Sequence, residues 1–362
     1  LLYNLITSKL ITPSHHNLIT SEPQNPTMHK ILITGASGFI GSFMVERALA
    51  EGMEVWAAVR PTSSRRYLQD GRINFIELDL ADSTHLHQPL DEHLQAQNGR
   101  SFDYVIHAAG ATKCRRADDF FSINAEGTER LATCLLATGA LTEAGRLVFI
   151  SSLSVMGPIH EKDYKPICEA DLARPNTAYG ASKLQAEALL ADIKGLNYVV
   201  LRPTGVYGPR ERDYAMMADS IRRHIDFAVG YKPQVITFIY VADLVEAAFL
   251  ALTHGKSGRQ YFLTDGKEYT SRTFSDLIQM ELGVRHVLHI TAPLWVLRTV
   301  SWVAERVARL VGRTSTLNSD KYRIMRQRNW RCDISPARNE LGYRPQWPLV
   351  RGVKATFGAQ SI

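Results

Sequence analysis

The stretch AYGASKLQAE places Tyr179 and Lys183 four positions apart at the start of a segment that reads as a helix. That spacing puts both side chains on one helical face, one turn apart. Tyrosine is a poor base at neutral pH. Its ordinary pKa is about 10, and bringing it near 7 takes roughly 4 kcal/mol of preferential phenolate stabilisation. A neighbouring ammonium and a cationic ligand ring can provide it. Y-x-x-x-K occurs often by chance, so its context matters. RLVFISSLSVMGP ends an apolar, strand-like run with Ser151 and Ser152, 28 and 27 residues before Tyr179. Serines at strand ends are ordinarily turn residues. From position alone, either hydroxyl could hydrogen-bond a substrate carbonyl at the carboxyl edge of a sheet.

A second constellation lies upstream. ILITGASGFIGSFMVERAL sets Gly35, Gly38 and Gly41 between a strand and a helix. Glycine lets the backbone turn sharply and approach a pyrophosphate whose charge then sits at the helix N-terminus. The spacing is G-x-x-G-x-x-G rather than the G-x-G-x-x-G of many dehydrogenases. Nineteen residues beyond Gly41, the strand MEVWAAV runs into Arg60, followed by Ser63, Ser64, Arg65 and Arg66. An NAD site carries Asp or Glu about there to hold the ribose 2′-hydroxyl, whereas an arginine accommodates a 2′-phosphate. Arg60, helped by Ser64 and Arg65, therefore favours NADP(H), with NAD(H) as the alternative. A solvated basic loop is the plainer reading of the same cluster.

These groups need a scaffold. The apolar runs KILIT, MEVWAAV, INFIEL, YVIHAA, RLVFIS and YVVLRP alternate with helical patterning. Such alternation predicts an α/β fold, a Rossmann-type doubly wound parallel sheet over 28–203, with a later strand and helix from about 235–253. Residues 204–234 and 254–352 then form a smaller C-terminal substrate-binding region, with a tail over 353–362. Residues 1–27 lack a long apolar core or a clear cleavage site, and read as a disordered extension ahead of Met28.

Bulk properties narrow the class further. The 362 residues are 45% hydrophobic and 22% charged, ordinary for a globular protein that buries a full core. The net charge of +6 is concentrated late, with thirteen Lys/Arg against four Asp/Glu from Val296 onward. Four scattered cysteines form no C-x-x-C pair or His/Cys cluster, so we expect reduced thiols in a cytoplasmic setting and no metal. Without a recognisable binding module, the basic KYRIMRQRNWR reads as solvated surface, and no nucleic acid is expected.

Taken together, these motifs resemble the extended short-chain dehydrogenases/reductases of the NAD-dependent epimerase/dehydratase superfamily, from Met28 to about Gly352. TGASGFIG matches that family's nucleotide loop, which implies that Gly35, Ser37, Gly38, Phe39, Ile40 and Gly41 meet the cofactor. LDL puts Asp79, with Leu80 beside it, where the family contacts adenine. HAAG (His107, Ala108, Ala109) lines the cofactor, INAEGT supplies Asn124, and LRPTGVYGPR brings Pro203 and Val206 beside the nicotinamide. The resemblance selects Ser152, five residues before Gly157, as the catalytic hydroxyl. It makes Tyr179 the proton donor or acceptor and gives Lys183 the ribose and the lowering of the tyrosine pKa. It also implies a homodimer.

Departures from the family pattern bear on the reaction. Leu153 and Ser154 stand where dehydratases carry an acidic pair, and Met156 stands where many members have tyrosine. Ile236 and Thr237 replace the Arg-Asp that sugar-nucleotide enzymes commonly show ahead of V-x-D. Losing that arginine removes a partner for a diphosphate. The expectation is an NAD(P)-dependent oxidoreductase resembling dihydroflavonol reductases and 3β-hydroxysteroid dehydrogenases. It would move a hydride to or from the carbinol carbon of an apolar, sterol- or flavonoid-like small molecule. The alternatives are a nucleotide-sugar epimerase using the same triad and a non-catalytic, cofactor-sensing regulator. In LWVLRTVSWVAERVARLVG, Arg298, Ser301, Glu305 and Arg309 share one stripe. Core packing is the favoured reading of this helix, ahead of a wall over the substrate or a membrane-surface contact.

Overall fold

Strands that are apolar along their whole length must be covered on both faces, and this chain has enough of them for a doubly covered sheet. The computed structural model describes residues 28–81, 84–310 and 318–358; the expected extension at 1–27 lies outside the described residues. The strands are β1 (Lys30–Thr34), β2 (Glu54–Val59), β3 (Asn74–Glu77), β4 (Phe102–His107), β5 (Leu141–Ile150), β6 (Tyr198–Pro203), β7 (Gly205–Tyr207), β8 (Ile225–Val229), β9 (Phe238–Tyr240), β10 (Gln260–Leu263) and β11 (Leu288–Ala292). The helices are α1 (Phe39–Ala50), α2 (Thr84–Ala96), α3 (Ala117–Phe120), α4 (Gly127–Ala137), α5 (Ala178–Asp192), α6 (Asp213–Arg222), α7 (Val241–His254), α8 (Thr273–Glu281), α9 (Leu294–Leu310), α10 (Ser319–Arg326) and α11 (Leu349–Phe357).

Seven strands form one all-parallel sheet in the order β10-β6-β5-β4-β1-β2-β3. Alternate residues divide the core. Ile31, Ile33, Val148 and Leu201 face α1 and α7, whereas Leu32, Val105, Phe149 and Val200 face α2, α4 and α5. The order reverses direction between β1 and β4, and the crevice at the carboxyl ends of those strands is where ligands of such sheets bind.

Three details depart from the sequence reading. The strand near 235–253 pairs with β7 in a separate two-stranded sheet, and the main sheet takes its edge strand from β10 instead. The stretch read as a tail begins inside α11, whose Val353 and Phe357 are buried; residues 359–362 lie outside the described residues. Core packing was expected for α9, yet Leu297 and Ser301 are the buried positions while Trp295, Val300, Trp302, Val303 and Val307 are exposed. Part of the polar stripe is thus the packing face: Ser301 is buried and Glu305 accepts hydrogen bonds from Ser319. The side chain of Arg309 lies outside the described residues.

The glycine loop shows why its composition is constrained. Gly35 has φ +68°, and a Cβ there would lie 2.7 Å from Ala109 N. A Cβ on Gly41 would lie 2.2 Å from the Gly35 carbonyl oxygen, in the first turn of α1. Both obstacles are backbone and cannot rotate away. Gly41→Ala is therefore expected to cost about 1–3 kcal/mol of stability through enforced overpacking, read as a lower urea midpoint. An unchanged midpoint would contradict this packing.

Candidate active site

The expected site residues collect along the carboxyl edge of the sheet. The glycine loop follows β1, Arg60 follows β2, Asp79 and Leu80 follow β3, and His107 ends β4. Ser152 follows β5, Pro203 ends β6, and Val206 lies in β7 paired with Ile239. Gly38 caps α1 without a side chain to bond its first N–H groups. This leaves the N–H groups of Phe39 and Ile40 for an anion. With the tight turn that the Ala108–Ala109 backbone forces on Gly35, the arrangement fits a dinucleotide pyrophosphate.

At the end of β2, Arg60 and Ser64 are exposed. The Arg60 N–H donates to Ser63 Oγ (3.0 Å), and the Ser63 N–H donates back to the Arg60 carbonyl (2.9 Å), which closes a turn. Arg65 stacks its guanidinium 4.3 Å from the Phe75 ring centroid. Arg210, which the sequence did not single out, lies between Phe43 (4.2 Å) and Tyr67 (4.5 Å) and donates to Ser42 Oγ and Glu46. It ties this basic loop to α1.

The two serines left open by spacing face opposite ways. Ser151 is buried and donates to Glu187 Oε1, so its hydroxyl is committed beneath the sheet edge. Ser152 is half-buried, accepts from the Ser154 N–H (3.1 Å) and stands beside the Tyr179 phenol, whose pKa its hydroxyl lowers. Alternation along an extended chain separates the two side chains. Tyr179 sits in the first turn of α5. There Thr177 caps the Gly180 N–H, and Asp320 Oδ2 accepts from the N–H groups of Ala178 (2.9 Å) and Tyr179 (3.4 Å). One turn on, Lys183 Nζ donates to the Ile150 carbonyl (2.9 Å) and lies 4.6 Å from the Phe149 ring centroid.

Burial governs the electrostatics. It pushes the Tyr179 phenol above its ordinary value, against the opposing effect of the Ser152 hydroxyl. It brings the Lys183 ammonium down to about 8, opposed by Glu187. The phenolate must therefore draw further stabilisation from positive charge delivered to the site. Glu187 is buried against Arg202, with NH2 to Oε2 at 2.5 Å and Nε to Oε1 at 3.1 Å. Asp213 accepts from both Lys113 (2.7 Å) and Lys321 (3.1 Å). Burial raises its carboxyl pKa, but the two lysines outweigh that and hold it below the ordinary carboxylate range.

Asn124 and His107 act from behind. Asn124 accepts from the Ala111 N–H (2.7 Å), and its amide donates to the Ala111 carbonyl and to Ser182 Oγ, both at 3.0 Å. Thr128 spends its hydroxyl hydrogen on the Asn124 carbonyl (2.6 Å), so His107 Nε2–H must be the donor to Thr128 Oγ1 (2.9 Å). Nδ1 then accepts from Thr34 (2.6 Å), whose oxygen in turn accepts from the Ala109 N–H (3.2 Å). The His107 side chain is thus core, and only its backbone edge is available to a ligand. Met156, at the position often occupied by tyrosine, is fully buried beside Arg202.

A parallel Rossmann sheet bearing a glycine cradle and a Ser/Tyr/Lys cluster defines a nucleotide-cofactor enzyme. The sequence pattern of the NAD dependent epimerase/dehydratase family matches residues 31–263, and the chain belongs to that family. It is an NAD(P)-dependent enzyme of the extended short-chain dehydrogenase/reductase type. A ketoreductase for 4-hydroxy-2-methyl-3-oxo-4-farnesyl-3,4-dihydroquinoline-1-oxide from Stigmatella aurantiaca is 28% identical over 90% of this chain and 95% of its own. A UDP-glucose 4-epimerase from Vibrio cholerae is 26% identical over 91% and 94%. The UDP-glucose 4-epimerase of Thermus thermophilus, solved in complex with NAD, superposes with a TM-score of 0.70 at 22% identity, covering 91% of this chain and 97% of that one.

The His107 network carries a pH prediction. Burial, with Lys183 adding to it, depresses this imidazole from 6.5 to about 3. Above the unfolded value neither state is charged, and the contribution to stability is complete. As pH falls from 6.5 towards 3, the unfolded chain gains a proton that the folded one refuses, so stability is lost across that window. His93, brought down to about 4 by burial, acts in the same direction. His107→Gln should lower the urea unfolding free energy at neutral pH and make its decline on acidification shallower. An equally steep decline in both proteins would remove His107 from this role.

Proposed function

We propose that this chain is an NADP(H)-favouring ketoreductase/alcohol dehydrogenase acting on an apolar hydroxy or keto compound. The observation that carries the reading is the pair Ile236 and Thr237. Ile236 packs against the core, and its N–H donates to the Tyr269 carbonyl (2.8 Å). Thr237 is buried, donating to the Trp330 carbonyl (2.6 Å) and lying 3.0 Å from Thr204 Oγ1. These side chains bring apolar packing and a satisfied hydroxyl where a nucleotide-sugar enzyme would bring a cation for its diphosphate. The relative that reduces a farnesylated ketone supports the same choice.

The bound nicotinamide supplies the hydride and, when oxidised, a positive charge near the phenol. For reduction, Tyr179 gives its proton to the substrate oxygen while Ser152 holds that oxygen by a hydrogen bond. For oxidation, the Tyr179 phenolate takes the hydroxyl proton. Lys183, one turn below, holds the ribose and favours the phenolate. Arg60, with Ser64 and Arg65, receives the 2′-phosphate, and Asp79 the adenine.

Tyr179→Phe should lower kcat by about 10²–10⁴-fold while leaving the thermal unfolding midpoint and cofactor affinity near wild type. Full turnover would remove the proposed proton step. Wild-type protein offered hydroxysteroids, flavonoid-like ketones and UDP-sugars should oxidise or reduce cofactor with the first two. Clean epimerisation of a UDP-sugar would replace the reductase reading, and cofactor binding without turnover of any class would favour a sensor. Separately, Arg60→Ala should weaken NADP(H) by about tenfold or more and leave NAD(H) unchanged in direct binding. Equal effects on both cofactors would dispose of the 2′-phosphate assignment.

A further inference from the structure

Eleven of the fifteen large apolar side chains exposed among the described residues fall between Met216 and Val307, so the surplus of apolar surface is local. It has two adjoining parts. On the ribbon of β8 and β11, Phe227 is paired in register with Ile290, and Leu288 lies two residues before Ile290 on the same face. All three are exposed, whereas Asp226, on the opposite face, is buried against Ser275 and His289. The chain then passes through Pro293 directly into α9.

On α9 the exposed arc carries Trp295 (71% exposed), Trp302 (56%), Val300, Val303 and Val307. Interleaved with them are the exposed Arg298 and Arg306, the latter stacked 5.3 Å from the Trp302 ring centroid. Among the described residues of the helix the one acid is Glu305, which is turned towards Ser319 on α10. Apolar residues flanked by tryptophans and arginines, with acid absent from the arc, match the requirements of a helix lying in a bilayer interface. The valines enter the acyl boundary, the indoles sit at headgroup level, and the guanidiniums reach anionic phosphates. Among the described residues no helix is long and apolar enough to cross a membrane.

We infer that the α9 face, continued by the β8–β11 ribbon, is a docking surface for an anionic lipid bilayer. A second copy of the chain is the main competing occupant. A two-fold contact is self-complementary and would set this patch against itself. Arg298 and Arg306 would then face a copy of the same arc, which has no carboxylate to pair them. Anionic headgroups offer the missing charge. The surface is defined by its own residues and does not depend on which compound the enzyme reduces.

Vesicle co-sedimentation of the full chain tests the inference. Protein should sediment with vesicles of phosphatidylcholine mixed with phosphatidylglycerol, less with phosphatidylcholine alone, and less as salt rises. The triple substitution Trp295→Ser, Trp302→Ser, Val303→Ser should reduce the bound fraction about tenfold or more. Arg298→Gln with Arg306→Gln should remove the preference for anionic vesicles. Unfolding midpoints and NADP(H) affinity, measured alongside, separate loss of docking from loss of fold. In the wild type, brominated lipids should quench tryptophan emission, and the triple variant should lose that quenching. Wild-type protein that stays in the supernatant with anionic vesicles at low salt would overturn the inference. So would a triple variant that sediments as wild type, or a dimer in light scattering that the triple substitution dissolves.

Discussion

A carboxylate buried beneath a parallel sheet is tolerable only when its charge is met, since leaving one member of such a pair unpaired costs about 3–5 kcal/mol. Glu187 meets that condition with three bonds from Arg202 on β6 and one from Ser151 just after β5. Because Glu187 lies four residues after Lys183 on α5, this pairing sets the rotation of the helix against the sheet. Lys183 is then held at the Ile150 carbonyl and Tyr179 comes to the Ser152 side. The spacing of the Tyr/Lys pair thus has meaning only because a third residue on the same stripe is locked to the strands.

A second chain of hydrogen bonds runs from the turn after β4, past the end of β1, to the same helix. It passes from Ala109 through Thr34, His107, Thr128 and Asn124 to Ser182. Each hydroxyl uses its hydrogen in one direction, which leaves His107 a single neutral tautomer and explains why burial holds it uncharged. Fully satisfied networks of this kind are rigid because any one protonation error leaves a buried group unpaired. The cradle and the Tyr/Lys helix are therefore braced together as parts of one core.

Much of this was legible in the sequence, for definite reasons. Apolar runs of strand length announced the sheet, and Gly35 and Gly41 stood at its first turn because backbone lies where a Cβ would be. Spacing left Ser151 and Ser152 open, and only the resemblance chose between them; the opposite facing of successive residues is the physical ground for a difference. His107 was assigned to the cofactor from its motif, but its side chain is spent in the core. Asp320 and Lys321 left no local signal, because their partners Ala178 and Asp213 are more than a hundred residues away in the chain. The pattern of α9 showed amphipathicity but not which side would be covered. Its apolar residues looked like a core, yet the helix packs through Leu297 and Ser301 and leaves them exposed.

That last point separates two kinds of constraint in the molecule. The sheet, the cradle and the α5 network are fixed by buried polar groups that must be satisfied whichever substrate is used. The segment from β11 through α10 is held differently. It reaches the catalytic edge through Asp320 at the N-terminus of α5 and through Lys321 on Asp213, and it turns its tryptophans outward. Substitutions there disturb few buried hydrogen bonds, so this region can vary while the hydride-transfer core is preserved. The same division accounts for family members that share the Rossmann scaffold while performing ketone reduction in one relative and sugar epimerisation in another. The outward face of α9 lies in the part of the chain free to carry such differences, whereas the departures at Ile236 and Thr237 are built into packed, hydrogen-bonded positions.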